Sequence, residues 1–297
     1  MLRGGTFTAR GGDNAKGIYT DANATLKAED VTALGRDATN TNVGLRTTAG
    51  AQTILRGGSF TGRGGIEASG IYNYSTPLEA KSVTALGENG TTNSKGFYNS
   101  GATATLHGGS FTGRGGESTY GIANASEGIL ETESVTVLAT EAIDEAYGLY
   151  NLDGSEATLH SGSYTARGGT TARGIQNEDS STTLEAEGVT AVGETASSSN
   201  YGLYNDSADA TLRASSCTGR GQSSAWGIYN YNSDATLKAE DVTARGENRS
   251  TSNFGHGLYN DYGTATLRGG SFTGHGGSYA RGILNYGSGV TGAPLEA

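Results

Sequence analysis

Seven tyrosines, Tyr19, Tyr72, Tyr98, Tyr150, Tyr204, Tyr229 and Tyr259, each follow a Gly-Ile, Gly-Leu or Gly-Phe pair and precede Asn or, at Tyr19, Thr. Arg46, Ala123, Gln176 and Leu284 fill the gaps in this series. A column of rings facing outward from a stack of strands offers surface for sugars or for a neighbouring rod, and it also steadies the sheet that carries it. Other residues capable of chemistry are scattered. The acidic residues Asp144-Glu145, Glu178-Asp179, Asp206 and Asp209 fall in variable stretches and read as solvated turns. His107, His160, His256 and His275 occupy three different repeat positions, which does not describe a metal site. Arg63-Gly64-Gly65 and Arg114-Gly115-Gly116 are followed by no helix that would aim amides at a phosphate, and no Gly-Gly-x-Gly-x-Asp calcium nonapeptide recurs. The expectation is a chain without catalytic residues, metal or cofactor, and therefore not an enzyme.

What holds the tyrosines in register is a repeat. Leucines anchor it at Leu2, Leu26, Leu55, Leu78, Leu106, Leu130, Leu159, Leu184, Leu212, Leu237, Leu267 and Leu295, with short steps of 23 to 25 residues alternating with long steps of 28 to 30 until the last. Five residues after each comes a second apolar position: Phe7, Val31, Phe60, Val83, Phe111, Val135, Tyr164, Val189, Cys217, Val242 and Phe272. The pattern predicts one interior column of alternating large and small side chains. A third column runs Ile18, Leu45, Ile71, Phe97, Ile122, Leu149, Ile175, Leu203, Ile228, Leu258 and Ile283, and each column sits in a segment of period-two alternation. Three short strands per turn and about eleven turns describe an all-β parallel β-helix, a rod on the order of 50 Å long.

Two residues after the third column, Asn73, Asn99, Asn124, Asn151, Asn177, Asn205, Asn230, Asn260 and Asn285 point the same way as the core, with Thr20 and Thr47 in the first two turns. They predict an internal amide ladder. The Gly before each third-column residue, from Gly17 to Gly282, predicts positive φ or close backbone approach. Thr follows the second-column residue in all eleven turns, from Thr8 and Thr32 to Thr273, and strand propensity accounts for it. The next outward position, Arg10, Leu34, Arg63, Leu86 and onward, is not Thr, which disfavours a two-column ice-binding face.

Composition agrees with one repetitive domain over residues 1–297. Only Pro77 and Pro294 break it, hydrophobic content is 34%, and 50 of the 297 residues are Gly. A net charge of −10 repels a phosphate backbone, so nucleic acid is not an expected partner. No apolar run is long enough for membrane insertion. The one cysteine, Cys217, falls in the second column and reads as a packed thiol.

Tyr-Gly-Leu-Tyr-Asn at 147–151 and 201–205, and Gly-Ser-Phe-Thr-Gly-Arg-Gly-Gly at 58–65 and 109–116, resemble right-handed parallel β-helix repeat proteins of the pectate-lyase-like superfamily, especially bacterial surface and adhesin-like Gly-Ile-Tyr-Asn repeats. The resemblance implies that fold over the whole chain; it usually brings a capping helix at the first coil, and this sequence shows none. It is shared by polysaccharide lyases and hydrolases, phage tail fibres, adhesins and stalks. With unbroken periodicity and no convergent acids, the expectation is a noncatalytic rod from an extracellular or cell-surface fibre, stalk or adhesin. The alternatives are a carbohydrate-active β-helix enzyme and a phage tail-fibre segment. Met1-Leu2 and Pro294-Leu295 read as cuts through a longer repeat protein. Exposed strand edges there would pair with flanking repeats or other copies of the chain, and the tyrosines would meet a glycan or a surface protein.

Overall fold

The computed structural model describes residues 1–22, 24–49, 52–250, 253–287 and 290–292, and among these every regular element is a β-strand. Leu295, and with it the start of a twelfth turn, lies outside the described residues. Coil 1 consists of the strands Leu2–Arg3, Thr6–Arg10 and Asn14–Thr20, and coil 2 of Leu26–Glu29, Thr32–Arg36 and Thr41–Thr48. Each strand pairs in parallel with its counterpart one coil on. The pattern continues to coil 11, whose strands are Thr264–Arg268, Ser271–His275 and Tyr279–Tyr286. In the middle of the rod strands run through the corners, as in Ser110–Ala125 and Ile129–Asn151. The protein is a parallel β-solenoid whose strands stack in three parallel ladders, its first, second and third sheets, along its length.

The register corrects the expected first and second columns. Leu2 lies beside Ala28, Ala28 beside Leu55, Leu55 beside Ala80 and Ala80 beside Leu106, whereas Leu26 lies beside Thr53 and Thr53 beside Leu78. The leucines thus occupy two adjacent inward columns, shifted by two residues from one coil to the next. The alternation of short and long steps is this shift: true neighbours in a column are 26 residues apart from Leu2 to Ala28 and 27 from Ala28 to Leu55. The second column is staggered in the same way. Phe7, Phe60 and Phe111 alternate with Ala33 and Ala85, while Val135 and Val189 flank Gly162. A coil with Phe in one position has Gly in the next, and a coil with Ala there has Val, so the volume per layer is conserved. Gly109 belongs to this trade: its φ is 93°, and a Cβ there would stand 2.3 Å from the Val83 carbonyl oxygen.

The stagger also reorders the outer face of the second sheet. Thr8 lies beside Leu34, not Thr32, and Arg10 lies beside Arg36. The predicted Thr and Arg/Leu columns are therefore each split between two true columns.

The interior is continuous and tightly filled, from Ile18 and Leu26 to Leu258 and Leu267. Tyr164 replaces Phe in its column and its hydroxyl finds a partner in buried Thr132. Cys217 packs in that same column, where burial pushes its thiol up to about 12. The third sheet has the predicted register throughout. Asn73 Nδ2 donates to Asn99 Oδ1 at 2.8 Å, Asn99 to Asn124 and Asn124 to Asn151 at the same distance, and the series continues unbroken through Asn177, Asn205, Asn230 and Asn260 to Asn285. Most of these amides also donate to a corner carbonyl, such as Thr76 O from Asn73 and Ala208 O from Asn205. The recurring Gly of this strand serves close approach, not positive φ. A Cβ on Gly70 would lie 2.4 Å from Leu86 N and 2.7 Å from Gly96 O, because the second sheet's backbone presses against it.

Candidate functional site

That glycine decides which side chains share the outer face of the third sheet. Gly148 and Leu149 both face inward, so the residue before the Gly and the residue two after it both face outward on the same side. The result is a second outer column that the sequence reading missed: Lys16, Val43, Ser69, Lys95, Tyr120, Tyr147, Arg173, Tyr201, Trp226, His256 and Arg281. The signal for it was present in Tyr-Gly-Leu-Tyr-Asn, where both tyrosines belong to one face.

The predicted tyrosine column is in register as expected, but apart from Tyr19, at 46% exposure, its rings are half-buried. They lie on one another and on the second column. Tyr147 stacks on Tyr150 with centroids 4.7 Å apart and on Tyr120 at 5.0 Å, Tyr201 on Trp226 at 4.6 Å, and Tyr229 on Tyr259 at 4.9 Å. Tyr72 and Tyr98 meet edge to face at 4.8 Å. Much of the ring surface is thus occupied within the protein, and Tyr147 and Tyr201 of the second column are buried beneath their neighbours.

Two of the four gaps in the tyrosine column, at Ala123 and Gln176, are filled from the second column. Tyr120 stacks over the gap at Ala123, 5.9 Å from Tyr150. At Gln176 the filler is Arg173, whose guanidinium carbon lies 5.2 Å from the Tyr147 and Tyr204 ring centres and 5.7 Å from that of Tyr201.

Around this second gap the ionisable groups converge. Arg173 Nη1 donates to Glu145 Oε1 at 3.1 Å, and the Tyr147 hydroxyl donates to Oε2 of the same carboxylate. One coil further, the Tyr150 hydroxyl donates to Glu178 Oε2 at 2.6 Å and Gln176 Nε2 donates to that oxygen at 2.7 Å. Burial, and then the neighbouring carboxylates as hydrogen-bond partners and charges, raises both tyrosines above the usual phenol range, with Arg173 opposing it. Both phenols therefore stay protonated and act as donors, while Glu145 and Glu178 are the acceptors. Among the described residues five buried polar atoms on this face lack partners: Arg46 Nε, Arg173 Nε, Gln176 Oε1, Trp226 Nε1 and His256 Nδ1. A further carboxylate, Asp261, accepts from the Tyr229 hydroxyl at 2.9 Å.

Outside this face the expected sites remain dispersed. His107 pairs with Glu133 at 2.9 Å, and among the described residues no three His, Cys, Asp or Glu side chains gather as metal ligands.

No protein-family model and no curated protein matches the sequence. Among solved structures, the chain resembles the A-module of mannuronan C-5 epimerase AlgE6 from Azotobacter vinelandii, at 10% identity over 92% of each chain with a TM-score of 0.37. It also resembles the enzymatically active domain of tailspike protein 2 of bacteriophage CBA120, at 9% identity over 96% of this chain and 43% of that one, with a TM-score of 0.39. The full-length form of that tailspike matches over 38% of its length, with a TM-score of 0.41. The chain thus spans less than half of the tailspike.

The expectation that the chain is not an enzyme is corrected. It rested on regular turns and on an absence of convergent acids. Acids do converge on this face: Glu145 and Glu178, read as solvated turn residues, accept from Tyr147 and Arg173 and from Tyr150 and Gln176, and the stacked rings of Tyr147 and Tyr150 join the two groups into one cluster. A regular backbone conceals such a cluster because its members come from successive coils rather than from one irregular turn.

Proposed function

We propose that the protein is a carbohydrate-active β-solenoid that binds a hydroxyl-rich glycan along the outer face of its third sheet and cleaves a glycosidic bond there, as a polysaccharide lyase or hydrolase. The observation that carries this reading is the cluster of coils 6 and 7: two carboxylates, two protonated phenols and an arginine on one face, beside the unpartnered Arg173 Nε and Gln176 Oε1. Sugar hydroxyls both donate and accept, so they match a surface of carboxylate acceptors and phenol donors. Glu145, paired with Arg173 at 3.1 Å, serves as the base toward a sugar proton or a water. Tyr150, whose proton lies on its hydrogen bond to Glu178, serves as the donor to the leaving oxygen. A polysaccharide substrate goes with a location at or beyond the cell surface.

The test is turnover of a panel of purified polysaccharides, followed by release of reducing ends and by absorbance of an unsaturated product. Glu145→Gln and Tyr150→Phe should each slow turnover by about 100-fold or more without lowering Tm by more than a few degrees. If no polysaccharide in the panel is cleaved, or if both variants match the parent, this reading falls.

A further inference from the structure

The corners between the second and third strands carry a different chemistry. Register places Arg10, Arg36, Arg63, Glu88, Arg114 and Thr140 in one column there, continued by Arg167, Glu194, Arg220, Glu247 and His275. In coils 3 to 5 the charges are closed on themselves: Glu88 is buried and bound by both Arg63 and Arg114. In coils 7 to 10 they are not. Glu194 faces Arg167 at 2.6 Å and Arg220 at 3.8 Å, and Glu247 faces Arg220 at 2.8 Å and Arg245 at 2.5 Å. Arg249 has no ion-pair partner among the described residues. Three arginines therefore meet two glutamates and Arg249 stands beside them as a fourth, a local positive excess on a chain whose net charge is −10.

The same place is where corner length departs from the pattern. Four residues separate Arg63 from Ala68 and Arg220 from Ala225, five separate Glu194 from Asn200, and seven separate Glu247 from Gly255. Arg249 is carried on this longest corner. On one side of it lies a cavity of about 520 Å³, lined by Thr195, Ser197, Arg220, Gln222 and Arg249 with the Arg-paired Glu194, and on the other a cavity of about 710 Å³ that shares Arg249 and adds Arg245, His275 and the Arg-paired Glu247. Phe254, which closes the described part of this corner, and Tyr279 stack at 5.5 Å and are 42% and 52% exposed, so part of an aromatic surface is open to solvent beside the cavities.

From this geometry we infer that the corner of coils 8 to 10 is a second binding site, for a carboxylate-bearing sugar, with Arg249 and Arg220 as its carboxylate ligands. Arginine offers a planar fork that fits a carboxylate in two parallel hydrogen bonds. Thr195, Ser197 and Gln222 supply groups for ring hydroxyls, and each cavity is of the size that holds one or two sugar units. The site is built from other residues than the Glu145 cluster and does not depend on cleavage there.

Calorimetric titration with hexagalacturonate, with cellohexaose as the neutral control, tests this. The acidic hexamer should bind the parent protein and weaken as salt rises. Its Kd should increase about tenfold or more in Arg249→Ala, recover in part in Arg249→Lys, and stay the same in Glu145→Gln. Absence of hexagalacturonate binding, or equal binding by Arg249→Ala and the parent, overturns the inference, whatever cellohexaose does. Loss of binding in Glu145→Gln alone moves the acidic sugar to the third-sheet cluster and also overturns it, while leaving the proposed function standing. Full competition by equimolar inorganic phosphate reduces the corner to a simple anion site and refutes the sugar assignment.

Discussion

Asn205 and Tyr204 are neighbours on one strand, and the columns they belong to differ in almost everything. The asparagine side is unbroken from Asn73 to Asn285, fully buried as far as Asn260, with every amide bonded to the next. The tyrosine side is interrupted at Arg46, Ala123, Gln176 and Leu284, only half-buried, and bordered by polar atoms without partners. Inside, a missing amide strands its neighbours above and below in a place water cannot reach, so repetition is enforced coil by coil. Outside, a missing ring is replaced by Tyr120 or Arg173 from the next column, and substitution is tolerated. Variation on this strand therefore marks where the fold has released the sequence, and the ionisable cluster lies in that released region.

The sharpest break of the inner column would come at its backbone. Gly70→Ala places a Cβ against three backbone atoms of neighbouring strands, within 2.4 to 2.8 Å. It should cost on the order of 4 kcal/mol or prevent folding, measured by denaturant unfolding. A modest loss would show that the two sheets can slide apart at this corner.

Asn205→Leu should follow. It removes the bonds to Ala208 O at 2.7 Å and Asn230 Oδ1 at 2.8 Å, takes from Asn177 Nδ2 one of its two acceptors and leaves Asn230 Oδ1 without its donor in the ladder. A loss on the order of 3 kcal/mol is expected from several stranded groups. Tyr204→Ser should cost only about 1 kcal/mol, since it removes edge contacts at 5.1 and 5.3 Å and a half-buried ring. Equal Tm shifts for these two variants would make the tyrosine column a structural ladder like the asparagines and erase the contrast.

The smallest effect is a pH dependence. Burial, assisted by the Arg281 charge, lowers His256 to about 4 from an ordinary value near 6.5. As pH falls through the ordinary value the unfolded chain takes up the proton first, so stability is lost downward from about pH 6.5, and the loss stops growing below about pH 4. By pH 6 it should amount to less than about 1 kcal/mol. Comparing Tm at pH 7.5 and pH 6 for the parent and His256→Gln should show a drop that is smaller in the variant. An identical drop in both would mean that His256 takes up its proton freely on this face.

Much of this architecture can be read from residue order. The third sheet was legible to the residue, because Gly, Ile or Leu, Tyr and Asn fall at constant offsets, the Gly admits no Cβ against the second sheet's backbone, and only Thr20 and Thr47 stand in for Asn on the ladder. The first two sheets were legible only as strands. Leu55 and Leu78 look equivalent in sequence, yet Leu55 lies beside Ala80 and Leu78 beside Thr53, because packing conserves the volume of a layer rather than the identity of a position. The tyrosines were found and their partners were not: nothing in Asp144-Glu145 or Glu178-Asp179 distinguishes a solvated turn from a carboxylate that accepts a phenol proton one coil away.

The sequence by itself determined the periodicity, the three strands per turn, the buried asparagine ladder and the outward set of tyrosines, since all of these follow from side-chain alternation along one strand and its repetition. Only the tertiary structure decided which residues of successive coils become neighbours. Stacking coils about 4.8 Å apart brings together groups that are 25 to 30 positions distant in the chain, and the inward turn of each glycine joins two outer columns into one face. Glu145 meets Arg173, Tyr150 meets Glu178 and Arg220 meets Glu247 for that reason: the chemistry of this protein lies between its repeats, where register between coils rather than residue order sets the contacts.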